Sequence, residues 1–253
     1  MIVCVDIGYK SSLGPDGLPH LIKGIKINRE LAEGDRDRPH IRAHTHPSCV
    51  VVFMDEDGYP VAGQMLWGLV ADFMINNPLQ MKKFSNQLFN ARSERLLESG
   101  SVWSGLKDRR CLLVADGIYE HQQVEWRKQK LPYYIRFRSG TTMLLPGVFN
   151  PGTKSFAIIT REGNGLFKTI HNSGPHKFRM PLFLTASMAN SWIQPRLSDD
   201  EINDLISFEY PSGELRAHTV YSVRSSSPRP DGKAANDFYN WENGRGLEQG
   251  SLF

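Results

Sequence analysis

Short apolar runs punctuated by turn residues dominate the chain. Residues 2–7 read as a strand, and Gly8 to His40, with Gly, Pro, Asp and Arg throughout, as loop around one short helix near Asn28 to Ala32. Cys49 to Met54 and Pro60 to Trp67 read as two strands joined by the turn Asp55-Glu56-Asp57-Gly58, hence a hairpin. Further strand-like runs cover Arg110 to Glu120, Leu131 to Arg138, Thr142 to Phe149, Ser155 to Arg161, Met180 to Leu184 and His218 to Val223. Within the second of these, Tyr133, Ile135 and Phe137 alternate with Tyr134, Arg136 and Arg138, the period of a half-buried strand.

Helical signals are fewer. Ser198 and Glu201 form a Ser-x-x-Glu capping box ahead of Ile202, Leu205 and Ile206, predicting a helix over Asp199 to Ser207; another is expected over Ser187 to Ile193. The sum is an α+β chain dominated by antiparallel strands. No repeat or flexible linker divides it. One domain over residues 1–224 is expected, followed by a polar tail, 225–253, that opens with Ser225-Ser226-Ser227-Pro228.

Composition narrows the class. Among 253 residues, 30 Lys and Arg stand against 27 Asp and Glu, a net charge of +3 that announces no partner, and 40% hydrophobic residues suffice for a full core. No run is long and apolar enough to span a membrane, and the start lacks the features of a signal peptide. Three scattered cysteines, Cys4, Cys49 and Cys111, fit neither a disulfide framework nor a CxxC zinc pattern. We expect a cytoplasmic protein without metal or cofactor.

Three patches carry chemistry. Asn90-Ala91-Arg92-Ser93-Glu94 packs an amide, a guanidinium and a carboxylate together; it suits phosphate binding, or a polar helix start. In Arg110 to Glu120, an apolar strand runs into Asp116-Gly117 and delivers Glu120 near the end of a buried element, where desolvation would favour a proton donor. The alternative is a bulge at Asp116-Gly117 and a solvated strand-end charge. Finally, His171 closes a short helix beside an insert rich in Gly and Pro, ahead of Arg179-Met180-Pro181, and serves either as a proton shuttle or as a packing residue.

Together these patches resemble the SOS-response-associated peptidase (SRAP) family. Asn90-Ala91-Arg92-x-Glu94, Ala115-Asp116-Gly117-x-Tyr119-Glu120, the Thr160 strand, and His171 leading to Arg179-Met180-Pro181 occur in the family's order, and Trp67-Gly68-Leu69 looks like its Trp-Gly-Leu segment. The resemblance covers residues 43–223 and implies a barrel-like domain of mostly antiparallel strands that binds abasic sites in single-stranded DNA. Departures are His121 where many members have Trp, an insert between Asn172 and Arg179, and Val5-Asp6 where many have Gly-Arg.

The resemblance also implies a covalent mechanism, a thiazolidine crosslink to the sugar aldehyde at an N-terminal cysteine. Here that residue is Cys4, behind Met1-Ile2-Val3, so its amine is free only where residues 1–3 are removed, by autoproteolysis or otherwise, or where the true start lies elsewhere. Glu120 would orient the amine and exchange protons, His171 would assist ring opening and closure, and Asn90 would hold the adduct. Arg92 would grip a phosphate, Thr160 would lie near the DNA backbone, and Trp67, with Phe73 and Trp103, would stack on bases or else belong to the core. DNA association implies a nucleoid location.

Other readings stay open. His44-x-His46 with Cys49 is a weak metal pattern. A cysteine hydrolase could use Cys4 or Cys111 with His171 and Glu120, although Cys111 sits in an apolar run. The alternative from another class is a non-covalent module for single-stranded or damaged DNA.

Overall fold

The computed structural model describes residues 6–11, 13–14, 17–28, 30–31, 37–84, 86–225 and 228–241. Among these residues, eleven strands join in one hydrogen-bonded sheet. They are β1 (Asp6–Tyr9), β2 (Arg38–Arg42), β3 (Ser48–Met54), β4 (Pro60–Trp67), β5 (Asn90–Arg92) and β6 (Arg110–Gln122), followed by β7 (Leu131–Phe137), β8 (Met143–Asn150), β9 (Ser155–Glu162), β10 (Arg179–Pro181) and β11 (Leu215–Thr219). Helices are short: α1 (Leu18–Leu21), α2 (Pro78–Phe84), α3 (Gly165–Ile170), α4 (Ala186–Trp192) and α5 (Asp199–Ser207). The mixed fold with a mostly antiparallel sheet is the one the pattern predicts.

The β3–β4 hairpin forms as expected, with β3 starting one residue earlier at Ser48, and a ring of strands closes through β3, β6, β8, β9, β4 and back to β3. Only the β4–β9 closure within that ring is parallel. Helix α4 seals it: the fully buried Trp192 indole donates to the carbonyls of Cys111 at 3.1 Å and Gly147 at 3.2 Å, tying β6 to β8. The buried Arg110 guanidinium in turn donates to the carbonyls of Trp192 at 2.8 Å and Gln194 at 2.7 Å, so its charge is spent on the end of α4. Helix α5 carries the expected capping box, with Ser198 and Glu201 bonded reciprocally.

Strand β6 serves two neighbourhoods. Its first half, Arg110 to Ala115, pairs with β8 and β3; its second, Ile118 to Gln122, pairs with β7. Between them, Tyr9 of β1 faces Ala115 while Gly8 faces Gly117, so Asp116 is the extra residue of a bulge. The bulge reading of Asp116-Gly117 therefore holds together with delivery of Glu120 beyond it.

Tyr134 corrects the half-buried pattern expected of β7. It is 1% exposed because Gly8 and Gly117 leave room for its ring: a Cβ on Gly117 would lie 2.4 Å from Tyr134 Cζ, and one on Gly8 2.5 Å from its hydroxyl oxygen. The hydroxyl donates to Asp116 Oδ2 at 2.6 Å.

Three segments depart from expectation. Asn90 to Arg92 is a strand running parallel to β9, not a helix start; β10 is confined to Arg179–Pro181; and the last strand begins at Leu215 rather than His218. The described part of the tail docks on the fold. Tyr239 exchanges hydrogen bonds with Thr219, its amide donating to the Thr219 carbonyl and its carbonyl accepting from the Thr219 hydroxyl, both at 2.8 Å. Trp241 Nε1 donates to the Val220 carbonyl at 2.8 Å. No helix among the described residues is long and apolar enough to cross a membrane.

Candidate functional site

A cavity of about 710 Å³ opens where β1, the end of β6, the loop after α3 and the C-terminal segment meet. Glu120 and His171 both line it. Glu120 arrives on β6 opposite Tyr133 and is only 6% exposed, so its carboxyl sits in the wall rather than in open solvent. His171 caps the C-terminus of α3, whose start is fixed by the Asn164 side chain accepting the Phe167 amide at 3.2 Å. The His171 Nδ1 donates to the Arg179 carbonyl at 3.0 Å; a carbonyl can only accept, so this contact places the proton on Nδ1 and leaves Nε2 bare in the neutral ring. That is the tautomer of a base.

The insert after His171 is a closed loop. The Phe178 amide donates to the His171 carbonyl at 2.8 Å, so Asn172 to Lys177 bulge outward and Arg179-Met180-Pro181 still pairs with Thr160 to Glu162. The loop brings His176 into the cavity wall, where its Nδ1 accepts from Arg92 Nη2 at 3.0 Å. Burial first and the Arg92 charge next hold the His176 pKa below the ordinary histidine value, consistent with a neutral acceptor. Asn90 and Arg92 share one face of β5, Ala91 being buried on the other, so the amide and the guanidinium of this patch face the same side. Arg179 clamps the same patch from β10, donating to Glu94 Oε1 at 2.5 Å and Oε2 at 3.0 Å.

Several groups in or beside the wall have no catalytic role that the sequence suggests. Asp6, 1% exposed, accepts from His40 Nε2 at 2.7 Å and from Arg224 Nε at 3.1 Å. Burial pushes its carboxyl up, but the His40 hydrogen bond and the Arg224 charge outweigh that and hold it at about 2. His121 is driven down to about 4 by burial, aided by Arg224, and stands neutral beside Glu120. Arg127 and Lys130, from the segment before β7, complete the basic part of the wall. No sequence spacing links Asp6 to His40 or Arg224; only the fold brings them together.

Other expected site residues lie elsewhere. Trp67 is fully enclosed, stacked near-parallel on Phe156 with centroids 6.3 Å apart and donating its indole N–H to the Phe89 carbonyl at 3.0 Å. It presents no face to a base and belongs to the core, as does Trp103 at 5% exposure; Phe73 is 49% exposed. Thr160 is 1% exposed with its hydroxyl 3.4 Å from the Ala91 carbonyl, so it faces the interior rather than a DNA strand. Cys111 is buried, and burial drives its thiol far above the ordinary range, which corrects its reading as a hydrolase nucleophile. His44 and His46 each pack 5.1 Å from the Phe89 ring, and no group of three or more His, Cys, Asp or Glu among the described residues is placed to hold a metal. Cys4 lies outside the described residues.

A family model described as SOS response associated peptidase (SRAP) matches residues 20–225. The chain belongs to this family. Among its SRAP relatives, a Bacillus subtilis protein named abasic site processing protein YoqW is 26% identical over 215 residues, spanning 81% of this chain and 89% of that one. Mouse abasic site processing protein HMCES is 36% identical over 196 residues, covering 64% of this chain and 53% of its own length. A crystal structure of a Bacteroides thetaiotaomicron protein superposes with a TM-score of 0.72 at 23% identity, covering 92% of this chain and 97% of that one, which places both on one fold.

Proposed function

We propose that this SRAP protein captures abasic sites in single-stranded DNA as a covalent thiazolidine at Cys4. The observation that carries the reading is the placement of Glu120 and His171 in the wall of one cavity that Asp6 also lines, two residues after Cys4 in sequence. The names of the relatives support the substrate: proteins 26% and 36% identical to this one are called abasic site processing proteins.

The chemistry proceeds from a free Cys4 α-amine. Hydrolysis of the Val3–Cys4 amide consumes one water and releases Met1-Ile2-Val3 as a carboxylate. The amine attacks the aldehyde carbon of the ring-opened sugar, water leaves, and the resulting imine carbon accepts the Cys4 sulfur, its proton passing to the nitrogen. Amine and thiol have unperturbed pKa values of about 8 and about 8.5, so both are partly nucleophilic at neutral pH. His171, with Nε2 as acceptor, takes up and returns protons, and Glu120 supplies the carboxyl that orients the amine and protonates the departing oxygen. Asn90 holds the adduct, and Arg92 grips a phosphate with its free N–H groups.

Intact mass of the purified protein, alone and after incubation with an abasic single-stranded oligonucleotide, tests both steps. A chain lacking residues 1–3 with a denaturation-stable adduct, lost in Cys4→Ala, is the expected result. A full-length chain that binds the oligonucleotide without an adduct would establish the second reading, a non-covalent module. That reading is favoured by one observation: Val3 acylates the Cys4 nitrogen in the encoded chain.

A further inference from the structure

The C-terminal segment supplies the cavity with something outside the SRAP match, which stops at residue 225. Trp241 lines the cavity and is fixed on three sides. Its indole N–H donates to the Val220 carbonyl at 2.8 Å, Tyr221 stacks on it at 5.6 Å with planes 7° apart, and Tyr239 meets it edge-on at 4.8 Å. Arg229 holds the turn that leads there, donating to the carbonyls of Ala234 at 2.9 Å, Asp237 at 2.7 Å and Phe238 at 2.6 Å. A segment braced in this way presents a rigid aromatic surface.

What rests on that surface is Arg127, its guanidinium carbon 3.7 Å from the centre of the Trp241 ring. A cation over an indole is attracted to the ring but keeps its in-plane N–H donors. Arg127 uses few of them. Among the described residues its guanidinium makes one hydrogen bond, from Nη2 to Gln129 Oε1 at 3.4 Å, and no carboxylate lies within ion-pair distance; Nη1 is buried without an acceptor, so the edge open to a ligand is that of Nε and Nη2. Lys130, in the same wall, likewise has no described acidic partner. Desolvation disfavours the Arg127 charge, so the described residues hold a partly buried cation with no carboxylate among them as its counter-ion. Asp6 does not serve, because it is committed to His40 and Arg224.

We propose that Arg127, held over Trp241, binds a backbone phosphate of the strand whose lesion enters the Glu120–His171 cavity, with Trp241 as the residue that positions it. The proposal rests on the functional reading above for the identity of the strand. The shared chemistry is that of a phosphate oxyanion, which a guanidinium with free in-plane donors matches in shape and charge. Lys130 adds a second, less directional charge.

The test is binding of a labelled, lesion-free oligothymidylate to the full chain, followed by anisotropy across a salt series, with inorganic phosphate titrated separately. Arg127→Gln is expected to weaken binding several-fold and to flatten the log–log salt dependence by about 0.7, the contribution of one phosphate on a single strand. Trp241→Ala should lose affinity in the same direction, Trp241→Phe should retain most of it, and Trp241→Ala added to Arg127→Gln should cost nothing more. Unchanged affinity and slope in an Arg127→Gln protein that melts like the parent would overturn the phosphate contact. Additive losses in the double variant would overturn the positioning role. Arg127-dependent binding of inorganic phosphate without Arg127-dependent binding of the oligonucleotide would assign a free-anion site and refute the strand contact. An adduct on abasic DNA with no measurable affinity for lesion-free strands would refute this proposal and keep the functional reading; Arg127-dependent affinity with no adduct would do the reverse.

Discussion

Arg179 grips both carboxylate oxygens of Glu94, 85 positions away in sequence, and donates also to the Thr160 carbonyl at 2.8 Å. One guanidinium thereby joins β10, β9 and the turn after β5, while its own backbone carbonyl holds the His171 ring. The Glu94 carboxyl titrates below the usual range: burial pushes it up, and the Arg179 hydrogen bonds more than reverse that.

The two halves of this clamp should respond unequally. Glu94 is half exposed and its charge is screened, so Glu94→Gln should cost at most about 1 kcal/mol in urea unfolding, and less at high salt. Arg179→Ala also removes the bond to Thr160 and should cost about 2–3 kcal/mol. Equal losses in the two variants would show that the clamp is the whole of Arg179's contribution.

Gly117 should tolerate no side chain while Tyr134 stays in place. Gly117→Ala puts a methyl 2.4 Å from the Tyr134 ring and 2.8 Å from the Ile135 carbonyl, and is expected to destabilise by about 3 kcal/mol. Tyr134→Ala in the same chain should recover part of that loss by removing the ring, whereas the Ile135 carbonyl keeps recovery incomplete. Melting temperatures of the two single variants and the double variant provide the measurement.

Acid should weaken the fold in two steps. The depressed His121 pKa, about 4 in the folded chain, means that the unfolded chain binds the extra proton first; stability is full above about 6.5 and falls as pH drops from there toward 4. The depressed Asp6 pKa adds a second loss below the unfolded value of about 4, complete as pH passes about 2. Chemical denaturation from pH 7 to 4 should therefore show a shallower decline in His121→Gln than in the parent chain. Parallel profiles would place the acid sensitivity elsewhere.

For function, Glu120→Gln preserves the shape of the side chain but cannot donate as an acid, so adduct formation or reversal should slow by roughly 10²-fold or more, within the range for a general acid. Arg92→Ala should instead weaken oligonucleotide affinity and the salt dependence of binding, leaving the adduct rate at saturating DNA nearly unchanged. Single-turnover rates at saturating and subsaturating DNA separate the two.

Strand bounds were legible wherever an apolar run met a turn signal, as in the β3–β4 hairpin, β6, β8 and β9, and the capping box located α5 to the residue. Alternation does not reveal the burial of Tyr134, because it reads a side chain against solvent and the room for this ring comes from Gly8 and Gly117 on two other strands. Motif spacing drew attention to Glu120 and His171, which do share a cavity. It could not show that Trp67 and Thr160 face inward, since a motif carries no direction. The ion pairing of Asp6 with His40 and Arg224 is not legible in the sequence because it is purely tertiary, and a tail of polar composition gives no sign of where Trp241 lodges.

The bulge at Asp116 has a bearing on how such a protein can diverge. Because the strand that completes the ring is also the strand that carries Glu120, changes in the packing of Arg110 to Ala115 and changes at the carboxyl are not inherited as independent traits. The kink between them sets the angle at which one half meets the other, and its geometry depends on a glycine beneath a tyrosine.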